Sequence, residues 1–467
     1  MVYEALNELG YRKYPVVIIL NDNKMSISKP IGAISSFLSH AMAGNLYQKL
    51  KKTTEQILEY LPESATYMAK RFEEGFKLIT PGILFEELGI DYIGPIDGHN
   101  LETLITVFET AKALKKPVII HTQTLKGKGY EKAEGYYENW HGVGPFDIKS
   151  GKSLKKSNAK SATAMYSEAL LKLANEHENV VGVTAAMPSG TGMDKLINTY
   201  PERFWDVAIA EQHAVTSMCA MAKEGFKPFV TIYSTFLQRA YDQVIHDACI
   251  MNLNVVFAMD RAGIVGEDGE THQGAFDVSF LSAIPNMTLI APRDEKSMYK
   301  ALEYAYGYSG PIAIRYPRGV FMDSKIEGDK SFEYGKAEIL TSRDDAKILL
   351  LGYGNGVGRA MQTAILLEKE DINSCVVDLR FAKPLDEECL VDLAKKYKQW
   401  FVFSDSAKYG GVGSLLGLLK EKNSLHVEIE SFEYEDEFIQ HGNTKLVEES
   451  MELLPKQLAQ KIVKKLL

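Results

Sequence analysis

Cysteine is scarce in this chain: four residues among 467, at positions 219, 249, 375 and 389, with no C-x-x-C pair. That excludes a disulfide scaffold and gives no sign of a zinc or redox motif. Scattered thiols of this kind fit the cytosol. Positive charge is in deficit, with 53 Lys+Arg against 62 Asp+Glu and a net charge of −9, which argues against broad nucleic-acid binding. Long apolar runs are missing too. Stretches such as Pro15–Leu20 and Ile348–Leu351 are strand-sized, far below the roughly 20 residues that span a bilayer. Met1 opens neither a basic n-region nor an apolar h-region.

What is present is ordinary for globular protein: 45% hydrophobic and 25% charged residues. At roughly 100–200 residues per domain, the length predicts about three domains. Helix-like and strand-like patterns alternate throughout, which predicts α/β architecture with mainly parallel sheets flanked by helices. Strands are expected at Val16–Leu20, Pro117–Thr124, Val180–Ala186, Asp206–Ala210, Phe229–Tyr233, Asn254–Asp260, Met287–Ala291 and Pro311–Arg315. Helices are expected at Tyr47–Lys70, Leu101–Leu114, Ala162–Glu176, from Gly358 onward, and at Val447–Leu466. Polar stretches at Ile148–Lys160 and Asp323–Lys336 read as linkers, so the domains fall at 1–150, 160–325 and 336–467. The opening MVYEALNELG is helical from Val2 without an N-capping residue, with Gly10 as the expected C-cap. This points to a first domain that begins inside a helix and is N-terminally truncated; a frayed terminal helix is the plain alternative.

The motifs differ in weight. GYGNGVG (Gly352–Gly358) fails the dinucleotide fingerprint, because the residue five after Gly352 or Gly354 is Val357 or Arg359. A tight strand-to-helix turn explains it. KGKGY (Lys126–Tyr130) lacks Walker A spacing, although its glycines allow close backbone approach. NDNKMSIS (Asn21–Ser28) follows a strand, where ligands of open α/β sheets collect, and offers hard oxygen ligands suited to Mg2+. An Asx-turn loop is the plain alternative. In AIAEQHA (Ala208–Ala214), Glu211 opens an Ala- and Met-rich run; an apolar setting can tune such a carboxyl for proton work, or the residue simply complements the helix dipole. The densest constellation is DRAGIVGEDGETHQGAFD (Asp260–Asp277), which collects Arg261, Glu267, Asp268, His272 and Gln273 among glycines at a strand end. YSTFLQRAYDQ (Tyr233–Gln243) and IRYPRG (Ile314–Gly319) add Tyr233, Arg239, Arg315 and Arg318. Arginine forks suit phosphate or carboxylate, although surface arginines are usually only solvated.

Taken together and in order, LNDNKMSIS, YIGPIDGHN, KGKGY, WHGVGPFD, TAAMPSGTGM, IAEQHAV, YSTFLQRAYDQ, DRAGIVGEDGETHQGAFD and RYPRG closely resemble the 1-deoxy-D-xylulose-5-phosphate synthases, thiamine-diphosphate enzymes of the transketolase-like group. The resemblance covers essentially the whole chain. It implies diphosphate-binding, pyrimidine-binding and C-terminal transketolase-like domains, and homodimers. It also implies condensation of pyruvate with D-glyceraldehyde 3-phosphate, giving CO2 and 1-deoxy-D-xylulose 5-phosphate, a precursor of isoprenoids, thiamine and pyridoxal.

Carried over by motif, Glu211 matches the glutamate that hydrogen-bonds the aminopyrimidine. Asn23 and the Met25 carbonyl match Mg2+ ligands holding the diphosphate, and Tyr130 matches a cofactor contact. Tyr233 and Phe236 match residues around the aminopyrimidine and substrate. Arg261 and Arg318 match the pair that holds the aldehyde phosphate, with Tyr233, Arg239 and Asp268 nearby, and His272 and His141 match histidines lining the reaction centre.

The departure lies at the front. The family's Gly-Asp-Gly, whose Asp ligates Mg2+, lies further upstream of the metal-binding Asn than the 22 residues preceding Asn23 allow. The resemblance therefore implies weak Mg2+–diphosphate binding and impaired activity for the chain as given. A non-catalytic subunit completing a site with another chain, or another transketolase-like enzyme, are the alternatives.

Overall fold

The computed structural model describes residues 2–23, 82–135, 140–154, 159–326 and 330–467. The expected helix at Tyr47–Lys70 and the Met25 ligand lie outside the described residues. The chain divides into two compact units, Met1–Lys156 and Ser157–Leu467.

In the first unit, β1 (Val17–Asp22), β2 (Asp91–Asp97) and β3 (Val118–Gln123) form a parallel sheet in the order β1-β3-β2. The apolar run Val118–Ile120 supplies the central strand and is buried on both faces, as a covered parallel strand must be. β1 alternates between exposed and half-buried residues. The helix Leu101–Leu114 forms as expected: Asn100 caps it by accepting from the Thr103 N–H, and Lys115 ends it at φ +50°. The first helix departs from expectation. It runs through Gly10 to Arg12 and is ended by Lys13 at φ +56°. Gly10 is a packing residue: a Cβ there would lie 1.9 Å from the Leu88 carbonyl oxygen.

In the second unit the chain lays down β4 (Val180–Thr184), β5 (Phe204–Asp206), β6 (Lys227–Tyr233), β7 (Val256–Ala262), β8 (Thr288–Ile290) and β9 (Ile312–Pro317). There follow β10 (Glu338–Thr341), β11 (Ile348–Gly352), β12 (Ser374–Asp378), β13 (Phe381–Lys383), β14 (Gln399–Ala407) and β15 (Glu428–Tyr434). They make a seven-stranded sheet, β13-β8-β9-β7-β6-β4-β5, and a five-stranded sheet, β10-β12-β11-β14-β15. All neighbours are parallel except β13 on β8 and β10 on β12. β13 comes from the later part of the chain, yet it pairs at the edge of the earlier sheet. One apolar cluster, including Val230, Leu289, Leu351 and Val402, spans both sheets.

Three expected boundaries move. The expected strand at Asp206–Ala210 is β5, which starts two residues earlier and already ends at Asp206; Asp206 Oδ1 accepts from the Ala186 and Ala208 N–H groups, and Ala208 sits at φ +60°. The helix expected from Gly358 starts at Asn355, because Gly354 at φ +57° turns the chain there. The single terminal helix is two, Thr444–Ser450 and Pro455–Leu466. Glu452 at φ +56° breaks it, and Pro455 suits a first helical position, where no N–H is needed.

Between the two sheets lies a buried ionic knot. Arg293 Nη1 binds Glu338 Oε2 and Asp378 Oδ2, each at 2.8 Å, and Arg380 also binds Glu338. Burial pushes the Asp378 carboxyl up to about 6 despite the Arg293 guanidinium beside it. Arg293→Met would leave two buried carboxylates sharing Arg380 alone. It is expected to cost about 3 kcal/mol, at the lower end for breaking a buried pair, read as a lower urea midpoint.

Candidate active site

The sheet concentrates chemistry at the carboxyl ends of its strands, where an open α/β sheet binds ligands. Tyr233 closes β6, Asp260 and Arg261 lie near the end of β7, and Arg318 follows β9 directly. Glu211 opens the helix Glu211–Lys223, reached from β5.

Glu211 is only 3% exposed. Its Oε2 accepts from Arg239 Nη1 at 2.5 Å. Burial raises the carboxyl's proton affinity, only partly offset by its backbone hydrogen bond and by Arg239. Two groups pull in opposite senses here: the ion pair favours carboxylate, and the apolar wall favours the acid. Burial wins because Arg239 is itself more than a third exposed and its field is screened by water.

A second group gathers around an aromatic platform. Tyr233 and Phe236 stack with ring centroids 5.5 Å apart, and His272 meets Phe236 edge-on at 5.0 Å. Arg261 lies over the other side of the group, its guanidinium carbon 4.1 Å from the Tyr233 centroid. Its Nη1 donates to Asp260 Oδ1 at 2.9 Å, to Thr163 Oγ1 at 3.3 Å and to the Gly190 carbonyl. Asp260, fully buried, accepts from Thr163 Oγ1 at 2.7 Å. Arg261 Nε is a buried donor with no acceptor among the described residues. Arg318 Nη2 pairs with Asp268 Oδ1 at 3.0 Å, and its Nη1 donates to the Val265 carbonyl at 3.2 Å. Arg261, Arg318 and Asp268 all act electrostatically on both Tyr233 and His272. Burial lowers the His272 pKa and so favours a neutral ring, with Asp268 opposing it; burial raises the Tyr233 phenol, which stays protonated.

The structure thus brings together Tyr233, Phe236, Arg261, Asp268, His272 and Arg318. Arg239, three residues after Phe236 in the 3-10 helix Phe236–Ala240, binds Glu211. The remaining expected residues lie in the other unit. Asn23 follows β1, next to Asp22, whose Oδ2 meets His121 Nε2 at 3.2 Å. Tyr130 sits edge-on to Trp140 and donates its hydroxyl to the Ile148 carbonyl at 2.8 Å. His141 Nδ1 lies 2.9 Å from Lys126 Nζ. Among the described residues, no three His, Cys, Asp or Glu side chains cluster as a metal site.

Sequence reasoning missed Thr163, Asp260 and Gly190. Thr163 belongs to no motif and reaches Asp260 only through the fold. Gly190 had a visible signal in TAAMPSGTGM: a Cβ there would lie 2.2 Å from the Tyr233 hydroxyl, so only glycine lets that ring seat.

Comparison with known proteins agrees with this picture. Residues 158–322 match the family "Transketolase, pyrimidine binding domain", and residues 335–458 match "Transketolase, C-terminal domain". A solved transketolase from Campylobacter jejuni aligns over 99% of this chain and 74% of its own, with a TM-score of 0.54 and 19% identity. A structure described as "Split gene transketolase, inactive beta4 tetramer" covers 66% of this chain and 98% of its own, with a TM-score of 0.59 and 23% identity. The fold is therefore transketolase-like.

Residues 1–124 match the family "1-deoxy-D-xylulose-5-phosphate synthase". Proteins of that name from Sulfurimonas denitrificans and Campylobacter jejuni are 66% and 63% identical over 99% of this chain, covering 76% and 75% of those proteins. The chain belongs to the 1-deoxy-D-xylulose-5-phosphate synthase family.

Proposed function

We propose that this chain acts in the decarboxylative condensation of pyruvate with D-glyceraldehyde 3-phosphate, giving 1-deoxy-D-xylulose 5-phosphate and CO2, with thiamine diphosphate and Mg2+. The observation that carries the reading is one cluster that places two arginines, a neutral histidine and an aromatic platform together at the carboxyl ends of β6, β7 and β9.

The donor set fits the pyrimidine end of that cofactor. A buried carboxyl with raised proton affinity can share a proton with a ring nitrogen, and the half-buried Phe236, stacked on Tyr233, offers an apolar face. Bound thiamine diphosphate supplies the carbanion chemistry that amino-acid side chains lack. The protein's part is binding, orientation and proton placement. Glu211 would hold a proton at the aminopyrimidine. Arg261, whose Nε meets no acceptor among the described residues, and Arg318 would take the aldehyde's phosphate, since forked guanidinium donors match phosphate oxygens. His272, kept neutral by burial, can accept or donate a proton near the reacting carbons.

In the diphosphate half, Asn23 and the Met25 carbonyl would ligate Mg2+, a hard ion that prefers oxygen, with Tyr130 against the cofactor and His141 lining the centre. The division proposed is 1–150 for the diphosphate, 160–325 for the pyrimidine and 336–467 for the C-terminal part, supported by the family matches at 1–124, 158–322 and 335–458.

The test is product analysis. Pyruvate and glyceraldehyde 3-phosphate with the cofactor and Mg2+ should release CO2 and form the five-carbon deoxy sugar phosphate in equal amounts. Two-carbon transfer from a ketose donor with no CO2 would replace this reading with a transketolase reaction.

A further inference from the structure

We infer that Gln273 is a positioning residue for the phosphate of the aldehyde acceptor, acting through Arg318. This rests on Arg318 being the phosphate contact proposed above.

One residue, Val265, links Gln273 to Arg318. Its N–H is taken by Gln273 Oε1 at 2.8 Å, and its carbonyl accepts from Arg318 Nη1 at 3.2 Å. The same residue's two polar backbone groups thus join a buried amide to a partly exposed guanidinium. Gln273 is 4% exposed, and its Nε2 donates at 3.5 Å to the Ile439 and Gln440 carbonyls of the C-terminal part. Both ends of the amide are therefore spoken for. The chain of contacts runs from the Ile439–Gln440 backbone through Gln273 and Val265 to Arg318, and from Arg318 Nη2 to Asp268.

The rest of the loop is held separately. Gly263 and Gly274 exchange both backbone hydrogen bonds at its base, at 2.7 and 2.8 Å. Tyr434 Oη accepts from the Ile264 N–H at 3.2 Å. Loss of Gln273 would thus leave the loop attached at those points while freeing the one carbonyl that aims Arg318. A buried N–H without its acceptor reorients its peptide plane, and the φ and ψ of Val265 carry that shift to the carbonyl on the other side of its Cα.

The experiment compares kcat/KM for glyceraldehyde 3-phosphate with kcat/KM for unphosphorylated D-glyceraldehyde. In Gln273→Met that ratio should fall about tenfold, the scale of one hydrogen bond to a charged group. Tyr434→Phe loosens the same loop elsewhere and should lower the ratio less than threefold. In an Arg318→Ala background, Gln273→Met should change the ratio no further, because the two act as one path. Should Gln273→Met fail to fold, Gln273→Leu is read the same way, since it too removes the acceptor of the Val265 N–H. An unchanged ratio in the folded Gln273 variant, or an equal fall in Tyr434→Phe, overturns the inference. An unchanged ratio in Arg318→Ala overturns the phosphate reading itself, which is a different failure.

Discussion

Replacing Glu211 with glutamine lowers the rate of pyruvate decarboxylation by roughly a thousandfold, within the range of removing a positioned proton-transfer group. The size of the effect follows from where the carboxyl sits. It is buried at a helix start, and its proton affinity is raised by that burial. Glutamine keeps the shape and one acceptor oxygen but cannot exchange a proton. The fold should tolerate the change. Arg239 loses its carboxylate partner, yet Arg239 is more than a third exposed and can be solvated. A melting temperature close to that of the parent, together with the thousandfold loss, identifies a chemical role. A loss below tenfold in a folded variant would remove Glu211 from the mechanism.

Arg318→Ala raises KM for glyceraldehyde 3-phosphate by about 30-fold, while KM for pyruvate stays within a factor of two. Hydrogen bonds to a charged group are worth about 1.5–3 kcal/mol, and tenfold corresponds to about 1.4 kcal/mol. Arg318 is the cleaner of the two arginines to remove. It is one-third exposed, so its loss leaves no buried charge apart from the similarly half-open Asp268. Arg261 is different: it sits at φ +63°, over Tyr233 and against a fully buried Asp260, so its removal would leave that carboxylate uncompensated. Initial-rate measurements with each substrate varied in turn decide the point. Equal rises in both KM values would mean that the variant had disturbed the cluster at large.

Much of this architecture was legible in the sequence, for identifiable reasons. Helices with both a capping residue and an apolar period, such as Leu101–Leu114 and Ala162–Glu176, start and stop where capping chemistry places them. Buried parallel strands read as short apolar runs, as in Val256–Met259 and Ile348–Leu351. Boundaries failed where tertiary contacts outrank local pattern. Gly10 looks like a helix terminator but is a close-packing site against Leu88, and β5 yields its last residues to the turn held by Asp206. For the site, the dense loop Asp260–Asp277 announced itself through polarity and glycine. Thr163 and the Ile439–Gln440 carbonyls gave no such signal. Their parts depend on being brought in from far away, Thr163 by 97 residues and the Ile439 carbonyl by 166, and no local window can show that.

The placement of β13 has a consequence for anyone dividing this protein into pieces. Because Phe381–Lys383 pairs antiparallel with β8, the seven-stranded sheet is finished by residues that follow the segment matching the pyrimidine-binding family. A piece ending near residue 322 would present β8 as an open edge, its unpaired backbone groups ready to recruit another strand. It would also lack Glu338, Asp378 and Arg380, and Arg293 would lose two of the carboxylates it now meets. The boundary by homology and the boundary at which a soluble recombinant piece can be cut are thus different places, and the second lies beyond β13.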